Sequence, residues 1–418
     1  MKILLIGSGG REHALAWAIA GSPLTEELVI APGSAAMASL GRCVDVGAED
    51  IDGLLVLADS LKPDLVVVGP EAPLVAGLVD RLTAAGHPAF GPTAVAARLE
   101  GSKAFAREAC ERFGIPQPGF AVCHDIDSAE AAITATGGAC VVKADGLAAG
   151  KGVVVADDAA EARAAAAEML GGRFGEAGRT LLIEERIAGP EASLFALIDG
   201  PDALFMGSAQ DHKRAFDGDR GPNTGGMGAV SPAPRLTESL QTQVMDKIVA
   251  PLARGMAAEG TPYRGILYVG LMLTETGPQV IEFNCRLGDP EAQVILPRLR
   301  SDLVAAMLGT IEGSLGHLSL RWDEGAAVTV VMATRGYPGA YEKGGVITGL
   351  DADDDRSTVF HAGTSRGDDG AILATGGRVL AVTGRGQNAE EARTAAYDRV
   401  SRIAWPGAFF RKDIGKAR

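Results

Sequence analysis

The sequence predicts a mixed α/β and α+β protein built from several domains, and three observations carry that expectation. Short β-rich runs alternate with helical periods through the first hundred residues, the rhythm of a parallel sheet covered by helices. Glycine turns separate these runs, and 418 residues exceed what one hydrophobic core usually serves. With 47% apolar and 22% charged residues, the composition is that of a folded globular chain.

Taken in order, residues 2–6 form a short apolar run, and Gly7 to Gly10 turn it into a helical period over 12–20. Further strands are expected at 28–31, 65–68 and 89–90, and ligands bind outside the carboxyl ends of such strands. A helix around 100–119 leads into Gly114-Ile115-Pro116-Gln117-Pro118-Gly119, whose prolines lack amide donors and whose glycines permit unusual torsions, as at a domain junction. The next unit has a strand at 139–143, a glycine loop, a strand at 152–156, an alanine-rich helix at 157–170 opened by an aspartate cap, and a strand at 180–185. Strands at 192–199 and 203–207, a glycine-rich loop at 218–228 and a long helix around 237–258 follow. The strands 265–274 and 279–283 pair about a Glu275-Thr276-Gly277 turn. From about Trp322, β-rich runs at 326–333 and 378–383 and one helix at 389–403 describe a smaller α+β unit; no internal repeat stands out.

The net charge of −14 disfavours general binding of nucleic acid, although local lysines and helix N-termini can still hold a phosphate. Five cysteines, at 43, 110, 123, 140 and 285, are scattered without a C-x-x-C pair, as expected of buried thiols in a reducing compartment. No stretch approaches the roughly 18 apolar residues of a membrane span. The expectation is a cytoplasmic protein with no membrane partner.

Gly7-Ser8-Gly9-Gly10-Arg11-Glu12 begins like a dinucleotide fingerprint but carries Glu12 where the third glycine belongs, and the second strand ends in Ala31-Pro32-Gly33 rather than an acidic ribose ligand. What survives is a helix N-terminus beside Arg11, suited to one phosphate; the same glycines would equally make a tight turn. Lys143-Ala144-Asp145-Gly146 and Gly150-Lys151-Gly152 place two lysines around a loop that is not a Walker A, because Asp145 replaces its first glycine and Gly152 its Ser or Thr. It suits a glycine hairpin over a triphosphate, or a solvated hairpin. Glu184, Glu185 and Glu191 flank a turn that could offer backbone to an adenine edge and a carboxylate to a ribose. In Ile281-Glu282-Phe283-Asn284, strand alternation puts Glu282 and Asn284 on one face, two hard oxygen donors of the kind magnesium takes alongside water and phosphate. Arg286, Asp289 and Glu291 add charge just beyond. Gln210-Asp211-His212-Lys213-Arg214 and Gly221-Pro222-Asn223-Thr224-Gly225 combine charge and torsional freedom as in a substrate clamp; His212 by itself has no evident base partner.

Together these segments resemble the glycinamide ribonucleotide synthetase family of the ATP-grasp superfamily over nearly the whole chain. The likeness rests on Gly-Gly-Arg-Glu-His-Ala at 9–14, Val-Gly-Pro-Glu-Ala-Pro-Leu at 68–74, Glu-Gly-Ser-Lys-Ala-Phe at 100–105 and Lys-Ala-Asp-Gly-Leu-Ala-Ala-Gly-Lys-Gly-Val at 143–153. It continues in Gln-Asp-His-Lys-Arg at 210–214, Gly-Pro-Asn-Thr-Gly-Gly-Met-Gly-Ala at 221–229, Glu-Phe-Asn-Cys-Arg at 282–286 and Arg-Lys-Asp-Ile-Gly near the end. The resemblance implies an ATP-grasp fold: a Rossmann-like parallel α/β domain for a sugar phosphate (1–101), a linker helix and ATP lid (102–189), a central ATP-grasp domain with the metal site (190–321) and a C-terminal α+β domain (322–418). It implies a monomer joining glycine to 5-phosphoribosylamine, with ATP and Mg2+ or Mn2+. Lys103, Lys143, Gly150, Lys151, Gly152, Glu184, Glu185, Ile187 and Glu191 would meet ATP, Lys143 and Lys103 at its phosphates and Glu191 at its ribose. Glu282 and Asn284 would hold the metal. Gly9, Gly10, Arg11, Glu12, Pro70, Glu71, Asp211, His212, Lys213, Asn223, Thr224, Gly225, Arg286, Gly288 and Asp289 would meet the other substrates, with Arg286, Lys143 and Asp211 in the chemistry. Many ATP-grasp enzymes carry a further acidic ligand on the preceding strand, which here reads Leu271-Met272-Leu273.

Three other readings compete. Another ATP-grasp carboxylate-amine ligase would share the ATP motifs, and the 210–214 and 221–229 segments count against it. A regulatory nucleotide sensor would not need the set Lys143, Glu282, Asn284 and Arg286. A nicotinamide oxidoreductase is opposed by Glu12 and Pro32.

Overall fold

The computed structural model describes residues 1–147, 152–351 and 355–416. The expected first strands form as Lys2–Gly7, Glu27–Pro32, Leu65–Val68 and Ala89–Phe90, and Arg42–Cys43 joins them in a five-stranded sheet. All its pairings are parallel, so the carboxyl ends of its strands emerge along one edge. Lys2–Gly7 lies between two neighbours and is buried on both faces beyond its first residue, which is why it reads as a continuous apolar run. Arg42–Cys43 is too short to leave a period in the sequence.

The helix expected across 100–119 is instead two helices, Ala94–Gly101 and Lys103–Arg112, broken at Ser102. Ser102 is extended, and its hydroxyl oxygen accepts from the Phe105 amide. Asp145 locks this break from outside, accepting from the Ala104 amide at 2.7 Å and from the Ser102 hydroxyl. The residue that spoils the Walker loop therefore caps a helix 41 positions away.

The next sheet is antiparallel, in the order Phe120–Cys123, Leu181–Glu185, Cys140–Ala144, Val153–Ala156. Helices Ile126–Ala135 and Ala159–Glu168 pack on it around a core of its own, containing Ala129, Ile133, Val142, Ala162, Ala166 and Ile183. Strand Phe120–Cys123 and helix Ile126–Ala135 are not among the expected elements.

The largest sheet runs Gly277–Asn284, Arg264–Thr274, Glu191–Asp199, Ala203–Asp211, Gly228–Ser231, Ala326–Thr334, Arg378–Gly386, Ser357–His361, and Ala408–Phe409 also pairs with Ala326–Thr334. Gly228–Ser231 pairs with Ala326–Thr334, so strands on either side of residue 322 belong to one sheet. The stretch read as a loop at 218–228 is largely a hairpin, Arg214–Phe216 with Arg220–Asn223. The long helix forms as Glu238–Val244, Met245–Val249 and Ala250–Ala258 in succession, with a widened middle turn next to Pro251, which has no amide to donate. Among the described residues no helix is long and apolar enough to cross a membrane.

Candidate active site

Lys143 lies on Cys140–Ala144 and crosses to the central sheet, its Nζ 2.7 Å from Glu184 Oε2 and donating to the Ile281 carbonyl at 3.0 Å. Glu184, on the neighbouring strand, is also gripped by Arg107 through Nε at 2.7 Å and Nη2 at 2.8 Å. Arg107 continues to the Val280 and Ile281 carbonyls, at 2.7 and 2.9 Å. Burial lowers the Lys143 pKa and Glu184 opposes it; burial would raise the Glu184 carboxyl, but Lys143 and Arg107 override it and hold it below its usual range. Glu184, expected at the end of a strand beside the nucleotide, is buried, and its carboxylate lies between two cations that satisfy it inside the protein. Glu185 is exposed, Ile187 half-buried, and Glu191 bonds Lys213 at 2.9 Å. Lys103 Nζ donates to the Gly146 carbonyl at 3.0 Å, and Gly152 accepts from the Ala144 amide. Gly150 and Lys151 lie outside the described residues.

Glu282 and Asn284 share Gly277–Asn284 with buried Phe283 between them, as alternation requires. Gly270 stands opposite Glu282, and a side chain there would come within 2.8 Å of Glu282 Cγ. Lys213 Nζ is 3.8 Å from Glu282. Burial disfavours the Lys213 ammonium, yet Asp211, Glu191 and Glu282 together raise its pKa well above the ordinary value. Burial, aided by Glu191 and Glu282, raises Asp211, and burial with Asp211 nearby pushes Glu291 up to about 8. Two oxygen donors on one strand face amid further carboxylates suit magnesium, which completes its shell with water and phosphate. Among the described residues no group of three or more His, Cys, Asp and Glu is arranged as a metal cage, so Glu282 with Asn284 remains the candidate pair.

Beyond Asn284 the site turns toward the parallel sheet. Arg286 donates to Glu71 Oε2 at 3.0 Å, to Glu100 Oε1 at 2.5 Å and to Asn284 Oδ1 at 3.5 Å. Glu100 also accepts from the Cys285 amide at 2.8 Å. Pro70 precedes the short helix Glu71–Val75 with an extended backbone. Burial would raise the Glu71 carboxyl, but Arg286 and Arg11 hold it down at about 2. Arg11, expected beside a phosphate, is already committed: Nε to Glu12 at 2.6 Å, Nη1 to the Leu287 carbonyl at 3.2 Å and 3.5 Å from Glu71. The Gly9 amide, expected to be open to a ligand, donates to Glu12 Oε2 at 2.8 Å. Glu12 lies across the turn, so that a side chain at Gly7 or Gly69 would come within 2.2 or 2.6 Å of its Cγ. The carboxylate occupies the place a dinucleotide would need, which removes the oxidoreductase reading.

Asp289 accepts from Gln293 Nε2 at 2.8 Å and lies 3.3 Å from Arg378; Gly288 packs under the Glu291 carboxylate. Asp211–Lys213 and the 223–228 segment are zipped together, Thr224 to the Lys213 carbonyl and Met227 to the His212 carbonyl, each at 2.8 Å. Asn223 begins this segment opposite Arg214 in the hairpin. It lines an open cavity of about 820 Å³ with Val153, Phe216, Arg335 and Tyr337. Sequence reasoning missed Arg107, Glu100 and Arg378 as site residues. Arg107 lies four positions after Lys103 on one helix, a spacing that could have revealed it, and Glu100 lies inside the quoted Glu-Gly-Ser-Lys segment. Arg378 begins a strand 89 residues from its partner Asp289 and carries no local signal.

Comparison with known proteins matches three family profiles along the chain: phosphoribosylglycinamide synthetase N domain at residues 1–100, its ATP-grasp (A) domain at 101–292 and its C domain at 327–417. The chain is 52% identical over 417 residues to the phosphoribosylamine–glycine ligase of Caulobacter vibrioides, covering 99% of this chain and 98% of that one. The corresponding protein of Allochromatium vinosum is 52% identical over 420 residues, covering 99% and 98%. Among solved structures, the phosphoribosylamine–glycine ligase of Thermotoga maritima superposes with a TM-score of 0.85 at 34% identity, covering 99% of this chain and all of the other. The biotin carboxylase domain of Hydrogenobacter thermophilus 2-oxoglutarate carboxylase matches at 17% identity with a TM-score of 0.77 over 98% and 91% of the chains, a likeness of fold alone.

Proposed function

The chain belongs to the phosphoribosylglycinamide synthetase family, and from that premise we propose how its residues divide the reaction. It is an ATP-dependent ligase that joins glycine to 5-phosphoribosylamine, giving glycinamide ribonucleotide in purine biosynthesis. One observation carries the assignment of roles: a chain of contacts from Lys143 to the Ile281 carbonyl, next to Glu282, and from Asn284 through Arg286 to Glu71 of the parallel sheet. ATP chemistry and aminosugar binding would then meet along residues 281–286.

In this reading a glycine carboxylate oxygen attacks the γ-phosphorus, the bond to the β–γ bridging oxygen breaks, and ADP leaves. The amine of phosphoribosylamine then attacks the carbonyl carbon of glycyl phosphate, loses a proton, and expels inorganic phosphate. Lys143 and Lys103 bind ATP phosphates, Glu184 serves by orienting Lys143, and Glu185, Ile187 and Glu191 line the adenosine. Gly152, with Gly150 and Lys151, would contribute to excluding water from the acyl phosphate. Glu282 and Asn284 would hold Mg2+ or Mn2+, which would supply positive charge at the transferring phosphoryl group. Arg286 and Asp211 border the reacting centre, Lys213 adds fixed positive charge there, and Gly9, Gly10, Glu71 and Asp289 face the aminosugar.

We assign 1–101 to aminosugar binding, 102–189 to the linker and lid, 190–321 to the metal site and 322–418 to a C-terminal unit; the separate core beneath the second sheet supports a lid that moves as a body. The enzyme acts as a cytoplasmic monomer on small molecules, with neither nucleic acid nor membrane as partner; sedimentation at one-chain mass tests the oligomeric state. The decisive assay measures ADP release while glycine or phosphoribosylamine is omitted in turn. Full turnover is expected only with both, and turnover needing neither overturns the reading.

A further inference from the structure

Arg378, at the start of the C-terminal strand Arg378–Gly386, reaches out of its own region into the substrate loop. Its Nη1 donates to the Gly225 carbonyl at 2.5 Å and to the Asp289 carbonyl at 2.7 Å, and its Nη2 lies 3.3 Å from Asp289 Oδ2. The Tyr337 hydroxyl accepts from the amide of the same Gly225 at 3.0 Å. Two C-terminal side chains therefore hold Gly225 at both its amide and its carbonyl. The approach is close: a side chain at Gly225 would begin 3.0 Å from the guanidinium carbon.

Each end of this clamp leads to a different half of the site. From Gly225 the chain passes through Thr224, bonded to the Lys213 carbonyl, to the Lys213 ammonium beside Glu191 and Glu282. From Asp289 it passes to Gln293, whose Nε2 lies 2.6 Å from where a side chain at Gly10 would begin. One guanidinium thus joins the loop that leads to the phosphoryl-transfer residues with the carboxylate facing the Gly9–Gly10 turn.

We propose that Arg378, assisted by Tyr337, is a positioning residue for phosphoribosylamine: it sets the gap between the Gly225 loop and Asp289 through which the amine approaches the activated glycine. The inference rests on the ligase reading above. Its own contacts are to Gly225, Gly226 and Asp289, and it meets the Lys213 side only at one remove through Thr224, so its loss should disturb the nucleotide half far less than the aminosugar half.

The test is steady-state kinetics of the full-length parent, Arg378→Lys, Arg378→Ala and Tyr337→Phe, with phosphoribosylamine formed in place from ribose 5-phosphate and ammonia. Loss of a charged donor to backbone carbonyls predicts about a tenfold or greater rise in KM for phosphoribosylamine in Arg378→Ala, with KM for ATP changed less than about twofold. Arg378→Lys should recover part of that rise, and millimolar methylguanidine should partly restore Arg378→Ala. If Arg378→Ala does not fold, Tyr337→Phe carries the test through about a threefold rise in the same KM. Unchanged constants, an equal rise in every KM, or a fall in kcat alone overturns the inference. A parent that fails to join the two substrates overturns the ligase reading instead.

Discussion

Glu184 and the Ile281 carbonyl fix the Lys143 ammonium across the gap between two sheets. Lys143→Met leaves Glu184 still bonded twice by Arg107, so the fold should persist while ADP release falls by about a hundredfold or more. Parent-like turnover would dismiss the phosphate role. Glu184→Gln should do the reverse damage: it leaves Arg107 and Lys143 as buried cations without their shared anion, and urea unfolding should show a loss of about 3–5 kcal/mol. An unfolding midpoint equal to the parent's would show that the triad does not hold the two sheets together. At the proposed metal pair, Glu282→Gln removes the charged oxygen donor, and about tenfold more magnesium should be needed for half-maximal activity. A superimposable magnesium titration would move the metal elsewhere.

At the scale of elements, the helix Gly10–Ala20 meets the strand Ser357–His361 through two imidazoles. His13 Nδ1 accepts from the His361 amide at 2.8 Å, and the Phe360 ring lies edge-on to His13 at 5.7 Å. Burial drives both rings down from 6.5 to about 4, aided at His13 by the neighbouring His361. The folded pKa lies below the ordinary one, so the unfolded chain binds more protons between pH 6.5 and about 4. Stability should therefore fall as the pH drops through that window. His13→Asn keeps an acceptor for the His361 amide and removes one titrating ring, so the slope of unfolding free energy against pH should shrink there. A slope identical to the parent's would locate the acid sensitivity elsewhere. Glu71, held at about 2, acts lower on the scale: its contribution is present above its ordinary 4.5 and is lost as the pH falls toward 2.

For the whole molecule, the continuity of the large sheet matters more than the boundaries drawn along the chain. Gly228–Ser231 pairs with Ala326–Thr334 on one side and with Ala203–Asp211 on the other. A chain ending at residue 321 would leave buried Gly228–Ser231 as a bare edge and strip its apolar cover. It should fail to unfold cooperatively in urea, whereas a sharp transition would show that the C-terminal strands are dispensable to the sheet. The sheet carrying Lys143, by contrast, has its own alanine-rich core.

Local chemistry explains what the amino-acid sequence determined by itself. Strand alternation placed Glu282 and Asn284 together around buried Phe283, the short apolar runs marked the parallel sheet, and the family motifs named the reaction. Tertiary structure decided which of the charged residues are free to meet a ligand. Arg11 and the Gly9 amide read as an open phosphate site, yet Glu12, Glu71 and the Leu287 carbonyl already use them. Glu184 read as a nucleotide ligand, and only the fold shows its carboxylate buried between Lys143 and Arg107; Arg378 gave no sign of reaching Gly225 and Asp289. Periodicity reports which face of an element is apolar, because neighbours a few residues apart share that face. A buried charge is satisfied by whichever opposite charge the fold brings near, and these partners lie 60, 77 and 89 residues away.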